Sequence, residues 1–278
     1  MTDPAPSVAD DSAAVPPAID VRGLKKRYGR KVVLDGIDLQ LTPGTVFGYI
    51  GPNGAGKSTT VKILTGLLGS FEGEAIVCGH DVRRDPIEVK RCIGYVPENA
   101  PLYEQLTVEE FLLFVGRLHH QDVDVLMQRI GDILEAFELG ARRSARLGTL
   151  SKGMRQKAVI TSSLLHDPDI IFLDEPLTGL DVNATVLVKE LIRALADRGK
   201  TVFYCSHIMD VVERVCDRVV IIDGGHIVAD GTVDALLEEN RDGSLEAVFR
   251  QITRGDGDND PTVVAARIAG ALDVGETR

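Results

Sequence analysis

The sequence is short of basic residues: 31 Lys plus Arg stand against 42 Asp plus Glu, a net charge of −11 over 278 residues. That balance argues against wholesale nucleic-acid binding, whose first signature is excess positive charge. The deficit is concentrated at the ends. Residues 1–20 and 254–278 together contribute −6, leaving −5 for the 233 residues between them. Cysteine is scarce too. Cys78, Cys92, Cys205 and Cys216 lie far apart with no C-x-x-C, which excludes a secretory disulfide framework and reads as reduced thiols in a cytosolic chain. The first twenty residues have no basic start and no apolar core, so no signal peptide is expected. Long apolar runs are missing as well. The longest uncharged window, Leu39–Gly56, is interrupted by seven Gly or Pro and an Asn, which excludes a continuous spanning helix.

What is present is ordinary globular material, 44% hydrophobic and 26% charged. The Pro/Ala/Asp-rich opening (1–18) cannot bury apolar surface and is expected to be disordered. IDVRGLKKRY and KVVLDGIDLQL, separated by Gly29-Arg30, predict a hairpin, and TVFGYI (45–50) a short buried strand. A glycine-rich turn then leads into a helix over 57–68, the opening of a parallel α/β unit. Strands are expected near 74–78 and 92–96. Thr107-Val108-Glu109-Glu110 is a capping box, and apolar residues follow it at helical spacing. Further helices over about 123–138 and from Ser151 to His166 make this stretch, about 99–166, a helical insertion in the α/β frame. IIFLD (170–174) reads as a strand covered on both faces, followed by a helix to Asp197, a strand TVFYCS (201–206) and a closing hairpin around Gly224-Gly225. Residues 255–261 look like a flexible break before a short helix, TVVAARIAGAL.

Three sites carry chemistry. Gly51-Pro52-Asn53-Gly54-Ala55-Gly56-Lys57-Ser58 fits G-x-x-x-x-G-K-[ST]. In such a loop the glycines let backbone N–H groups curl around phosphate oxygens, and the following helix aims its positive end at the same anions. Lys57 would reach the β- and γ-phosphates, and the Ser58 hydroxyl would ligate Mg²⁺. Asp174 and Glu175 end the strand IIFLD, where α/β sheets place their ligands. There Asp174 fits a Mg²⁺ partner and Glu175 a base for the attacking water; a pair of solvated acids at a sheet edge has the same sequence. Leu150-Ser151-Lys152-Gly153-Met154-Arg155-Gln156 opens a helix with a Ser cap and free N–H groups, which is either a second anion site or an ordinary capped helix.

In this order the pieces resemble the nucleotide-binding subunit of an ATP-binding-cassette (ABC) transporter over residues 19–240. GPNGAGKST (Gly51 to Thr59) is similar to the family's Walker A, LSKGMRQ to its signature motif and IIFLDEP to its Walker B. Gly179-Leu180-Asp181 resembles the D-loop, His207 the switch histidine, and Tyr28 the aromatic that stacks on adenine. The resemblance implies a P-loop NTPase (RecA-like) core with an antiparallel β-subdomain and an inserted helical subdomain, followed by a C-terminal extension, 241–278. It implies ATP and Mg²⁺ as cofactors, with Lys57, Glu175 and His207 catalytic. It further implies a head-to-tail pair of such subunits, identical or related, in which Ser151 and Gly153 of one copy complete the site of the other. Integral membrane permease subunits would be the other partners, on the cytoplasmic face of the cell membrane. LSKGM, GYVPEN-x-PLYEQLTVEEFL and SLEAVFRQIT resemble the bacterial ABC-2 exporter group; an importer ATPase, a soluble ABC ATPase and a regulatory subunit are the alternatives.

One position departs from the family pattern: Glu98 stands where the family usually has Gln. A carboxylate there can face the metal, or the residue can act only as a hinge, since its charge would repel a nearby γ-phosphate. Arg142, Arg143, Arg146, Lys152, Arg155 and Lys157 form a basic stretch with no acid among residues 142–157. It reads either as a solvated helix face or as a surface turned to phosphates or to an acidic segment of a membrane partner. The apolar loop Pro97–Leu106 resembles the family's docking surface for the membrane domain; packing under the helical insertion is the other reading. His119-His120, on different helix faces, do not form a metal pair. Asp256-x-Asp258-x-Asp260 fails as a calcium loop at Pro261 and Arg267. No Asn-Lys-x-Asp guanine motif is present.

Overall fold

A computed structural model describes residues 15–240 and 244–253. The expected N-terminal disorder up to residue 14, the break at 255–261 and the helix TVVAARIAGAL lie outside the described residues. β1 (Ile19–Tyr28) and β2 (Lys31–Leu41) form the expected antiparallel hairpin. β3 (Val46–Ile50) leads through the glycine-rich loop into α1 (Lys57–Leu64). β4 (Glu72–Val77) and β5 (His80–Asp81) follow, then α2 (Pro86–Cys92) and β6 (Ile93–Val96). The helical insertion contains α3 (Val108–Leu118), α4 (Val123–Ala136) and α5 (Lys152–Leu164). β7 (Ile170–Asp174), α6 (Val182–Asp197), β8 (Thr201–Cys205) and α7 (Met209–Val215) restore the α/β alternation. β9 (Arg218–Asp223), β10 (His226–Thr232), α8 (Val233–Asn240) and α9 (Leu245–Thr253) complete the described elements.

The strands form two sheets. One is antiparallel, ordered β2-β1-β4-β5; the other runs β10-β9-β3-β8-β7-β6. In the second, β9, β3, β8, β7 and β6 are parallel, and β10 adds an antiparallel edge. Side chains of the parallel strands alternate between two cores, which is why IIFLD and TVFYC read as continuous apolar runs. Val46, Ile171, Leu173, Val202 and Tyr204 face the core shared with the helices. Phe47, Tyr49, Phe172 and Phe203 face the core shared with the antiparallel sheet and α1. Phe203 is the hub of this second set, with ring centroids 5.2 Å from both Phe47 and Phe172. All the parallel strands end on the same side, so β3, β6, β7 and β8 deliver their C-terminal residues to one rim.

Local expectations hold where a specific bond enforces them. Thr107 accepts from the Glu110 N–H at 3.2 Å while Glu110 Oε2 accepts from the Thr107 N–H at 2.8 Å, closing the capping box. α1 ends at Leu64 rather than Leu68, because Gly66 takes a left-handed φ of 67° and the Leu67 and Leu68 N–H groups turn back to the Lys62 carbonyl at 2.9 Å. α2 and α7, each seven residues long, have no counterpart in the sequence reading. α2 did carry a signal, Asp85 followed by Pro86 at the first helical position.

His119 caps the end of α3 and stacks on His166, the ring centroids 3.6 Å apart, rather than joining His120 in a metal site. Burial, with the neighbouring His166, lowers the His119 pKa to about 4. The unfolded chain, titrating near the ordinary 6.5, therefore takes up this proton first, and the fold loses stability as pH falls from 6.5 towards 4. His119→Phe keeps an aromatic stack and removes that proton site. Its melting temperature is expected to fall less between pH 7 and pH 5 than that of the wild type; an equal fall would exclude His119 as a source of acid sensitivity.

Candidate functional site

The rim of the parallel sheet surrounds a cavity of about 700 Å³. β3 contributes the loop Gly51–Gly56 and α1 contributes Lys57, Ser58 and Thr59. β7 supplies Asp174 and Glu175, β8 leads to His207, and the chain after β6 supplies Glu98. Residues more than a hundred positions apart thus meet because their strands are parallel neighbours.

Each part has a local cause. Gly56 caps α1 at φ 117°, and a Cβ there would come within 2.5 Å of Leu34 and 3.0 Å of the Val33 carbonyl. Only glycine permits both that backbone and that approach. Lys57 Nζ donates to the carbonyls of Gly51 and Pro52 at 2.6 and 3.1 Å, so its charge spans the mouth of the loop. Asp174 is 5% exposed. Burial raises its pKa to about 6, with further repulsion from Glu98 and Glu175 outweighing the attraction of Lys57. This excess of negative charge is what an added cation would relieve.

Glu175 adopts a left-handed φ of 51°, rare for a non-glycine residue, where the chain leaves β7. Its Oε1 accepts from the His207 N–H at 2.9 Å and lies 2.7 Å from His207 Nδ1. Its Oε2 accepts from Ser206 Oγ at 3.1 Å. The two residues read from sequence as base and switch are therefore in direct contact. Ser206 is an addition to the sequence reading; its place immediately before His207 was the available signal. Thr178, Met209 and Phe249 also line the cavity; Phe249 lies in SLEAVFRQIT, a segment the sequence marks as exporter-like without placing it at this site.

Tyr28, Ser151, Gly153 and Asp181 do not line this cavity. Tyr28 is 49% exposed, with Lys26 Nζ 4.9 Å from its ring centroid. Ser151 is the N-cap of α5 and accepts from the Met154 N–H at 3.3 Å. A Cβ on Gly153 would lie 2.4 Å from the Gly179 carbonyl, so this glycine lets α5 approach the loop before α6. Asp181 caps α6 through the Ala184 N–H at 2.8 Å and pairs with Lys157 at 3.3 Å. The basic stretch is in part consumed internally: Arg143 pairs with Glu109 at 2.7 Å, and Arg155 donates to the Gly148 carbonyl at 2.8 Å. Beside it Ala100, Leu102 and Leu106 pack against the helical core, while Tyr103 is 59% exposed and meets Phe114 edge-on. The packing reading thus holds for Ala100, Leu102 and Leu106, whereas Tyr103 is left at the surface.

A strand–phosphate loop–helix unit with two acids at the end of a parallel strand defines a P-loop nucleoside triphosphatase. Comparison supplies the family. Residues 34–178 match the family model described as ABC transporter. A daunorubicin resistance ATP-binding protein of Streptomyces coeruleorubidus is 38% identical, the match covering 84% of this chain and 74% of that one. A Nod factor export ATP-binding protein I of Rhizobium sp. (strain N33) is also 38% identical, over 80% of this chain and 73% of that one. Among solved structures, an ATP-binding subunit of an ABC transporter superposes with a TM-score of 0.81 at 31% identity, covering 85% of this chain and all of that one. A dimeric ATP-binding cassette bound to ADP and phosphate shares the fold, with a TM-score of 0.72 at 23% identity over 77% of this chain and 98% of that one. The chain belongs to the ABC transporter family, as an ATP-binding and ATP-hydrolysing subunit. No helix of the described residues is long and apolar enough to cross a membrane.

Proposed function

We infer that this chain hydrolyses ATP as one half of a head-to-tail pair and thereby drives export through separate membrane-spanning subunits. One observation carries the pairing: the cavity holds the phosphate loop, the acids and His207, whereas the chain's own Ser151 and Gly153 lie outside it. A second copy would supply them. The export direction is supported by the relatives, one of which is a Nod factor export protein and another a daunorubicin resistance protein. The half-exposed Tyr103–Phe114 pair and the adjoining cleft of about 360 Å³ offer a docking surface for the membrane subunit. On this reading residues 19–240 are the ATPase unit, held at the cytoplasmic face of the cell membrane by that partner.

The residues divide the work. Lys57 leaves the Gly51 and Pro52 carbonyls to hold the β- and γ-phosphates, and the N–H groups of the loop and of the first turn of α1 hold the rest. Tyr28 stacks on adenine. Ser58 and Asp174 would hold Mg²⁺, and the raised Asp174 pKa supports that fit. Among the described residues no cluster of three or more His, Cys, Asp or Glu could bind a metal alone. Mg²⁺ takes one or two protein oxygens and completes its shell with waters and phosphates. When bound it neutralises charge on the transferred phosphoryl group. Glu98 faces the same space and either contacts the metal site or serves as a hinge. Glu175, freed from His207, orients and deprotonates the attacking water, and His207 then turns to the γ-phosphate. Ser151 and the N–H groups near Gly153 of the second copy close the cradle, and Asp181 sits at that junction.

The test is concentration dependence. ATPase activity per subunit is expected to rise with protein concentration and to saturate as pairs form. Full activity in a strictly monomeric sample, checked by light scattering, would exclude the paired site.

A further inference from the structure

The last described helix, α9, lies against the catalytic rim. Phe249 lines the nucleotide cavity together with His207 and Met209. The same three residues also line a second cleft, of about 450 Å³, together with Ile208, Asp210, Glu246 and Arg250. α9 is fastened to α7, the helix that follows His207. The Leu245 N–H donates to Glu213 Oε2 at 3.1 Å, a carboxylate at the positive end of α9. Leu245 and Val248 are fully buried, in the same core cluster as Met209, Val211, Val212 and Val215 of α7. Phe249 packs partly buried against that cluster.

α7 needs such support. It has seven residues, and its N-cap, Ile208, makes no side-chain capping bond. A helix this short does not hold itself in water, so tertiary packing must fix its position. His207, just ahead of it, has a side chain 72% exposed and bonded to Glu175.

Resting on the ATPase reading of the site, we propose that Phe249 is a positioning residue for the switch histidine, the C-terminal helix clamping α7 so that the Phe249 ring sets the path of His207 through Met209. Phe249 touches no reacting group in this role; it acts through the helix it holds. α9 is thereby a working part of the ATPase site.

The experiment uses the full chain labelled with ¹³C-histidine, the His207 ring signal being assigned among the six histidines by comparison with His207→Gln. In Phe249→Ala the His207 signal is expected to move towards that of an unrestrained imidazole without nucleotide. Turnover should fall about tenfold while affinity for a non-hydrolysable ATP analogue changes less than about twofold, because a misplaced group costs rate before it costs binding. Phe249→Leu should restore most of the rate, and Glu213→Gln, which weakens the α9 attachment, should shift the His207 signal in the same direction. An unmoved His207 signal, an unchanged or raised turnover, or equal losses of affinity and rate in Phe249→Ala would each overturn the proposal. If the wild type bound no ATP, the ATPase reading would fail, and the nucleotide-free His207 signal would still decide the positioning role.

Discussion

Glu175→Gln is expected to bind ATP normally, to turn over about 10²–10⁴-fold more slowly and to accumulate as a closed pair of subunits. Glutamine keeps the length of the side chain and one carbonyl for the His207 N–H, which now donates to Glu175 at 2.9 Å. What disappears is the capacity to take a proton. Removing that charge also relieves Asp174, whose carboxyl is pushed up in part by Glu175, so the phosphate side of the cavity is not weakened. With ATP bound and cleavage blocked, the γ-phosphate of a paired site would remain between the two copies and hold them together. Rapid-quench hydrolysis, with light scattering in the presence of ATP, measures both effects. Wild-type turnover in this variant would remove Glu175 from the role of base.

Lys57→Ala is expected to lose nucleotide affinity by at least about 100-fold, roughly 3 kcal/mol, as charge-assisted bonds to phosphate oxygens vanish. The nucleotide-free fold should tolerate the change, because the recorded partners of Lys57 Nζ are the Gly51 and Pro52 carbonyls on the cavity wall. The melting temperature without ATP should therefore stay near that of the wild type. Titration calorimetry reads the binding, and unchanged affinity would count against the phosphate-loop assignment. The two variants separate the steps: one blocks entry of the nucleotide, the other its cleavage.

Much of this was legible along the chain. The phosphate loop is contiguous, from Gly51 to Thr59, and its neighbours β3 and α1 follow from local patterning. The capping box at Thr107 was readable for the same reason, since both its bonds span three residues. α7 was not, because seven residues bearing Met209, Val211, Val212 and Val215 span less than two helical turns, too short a repeat to distinguish a helix from a buried strand. The partial consumption of the basic stretch was also hidden. Arg143 finds Glu109 34 residues away, and Lys157 finds Asp181 across another loop.

Residue identity and order alone settle the chemistry: which side chains can cradle phosphate, carry a metal or take a proton, and that they recur in the order of one family. Which of them share a cavity depends on the packed fold. Parallel pairing of β3, β8 and β7 carries Lys57, Asp174, Glu175 and His207 to one rim and leaves Ser151 and Gly153 outside it. It also brings Phe249 to that rim from the end of the chain. Motif chemistry is short-ranged along the backbone, whereas a shared site depends on strand order and helix docking, which the buried cores on both faces of the sheet enforce.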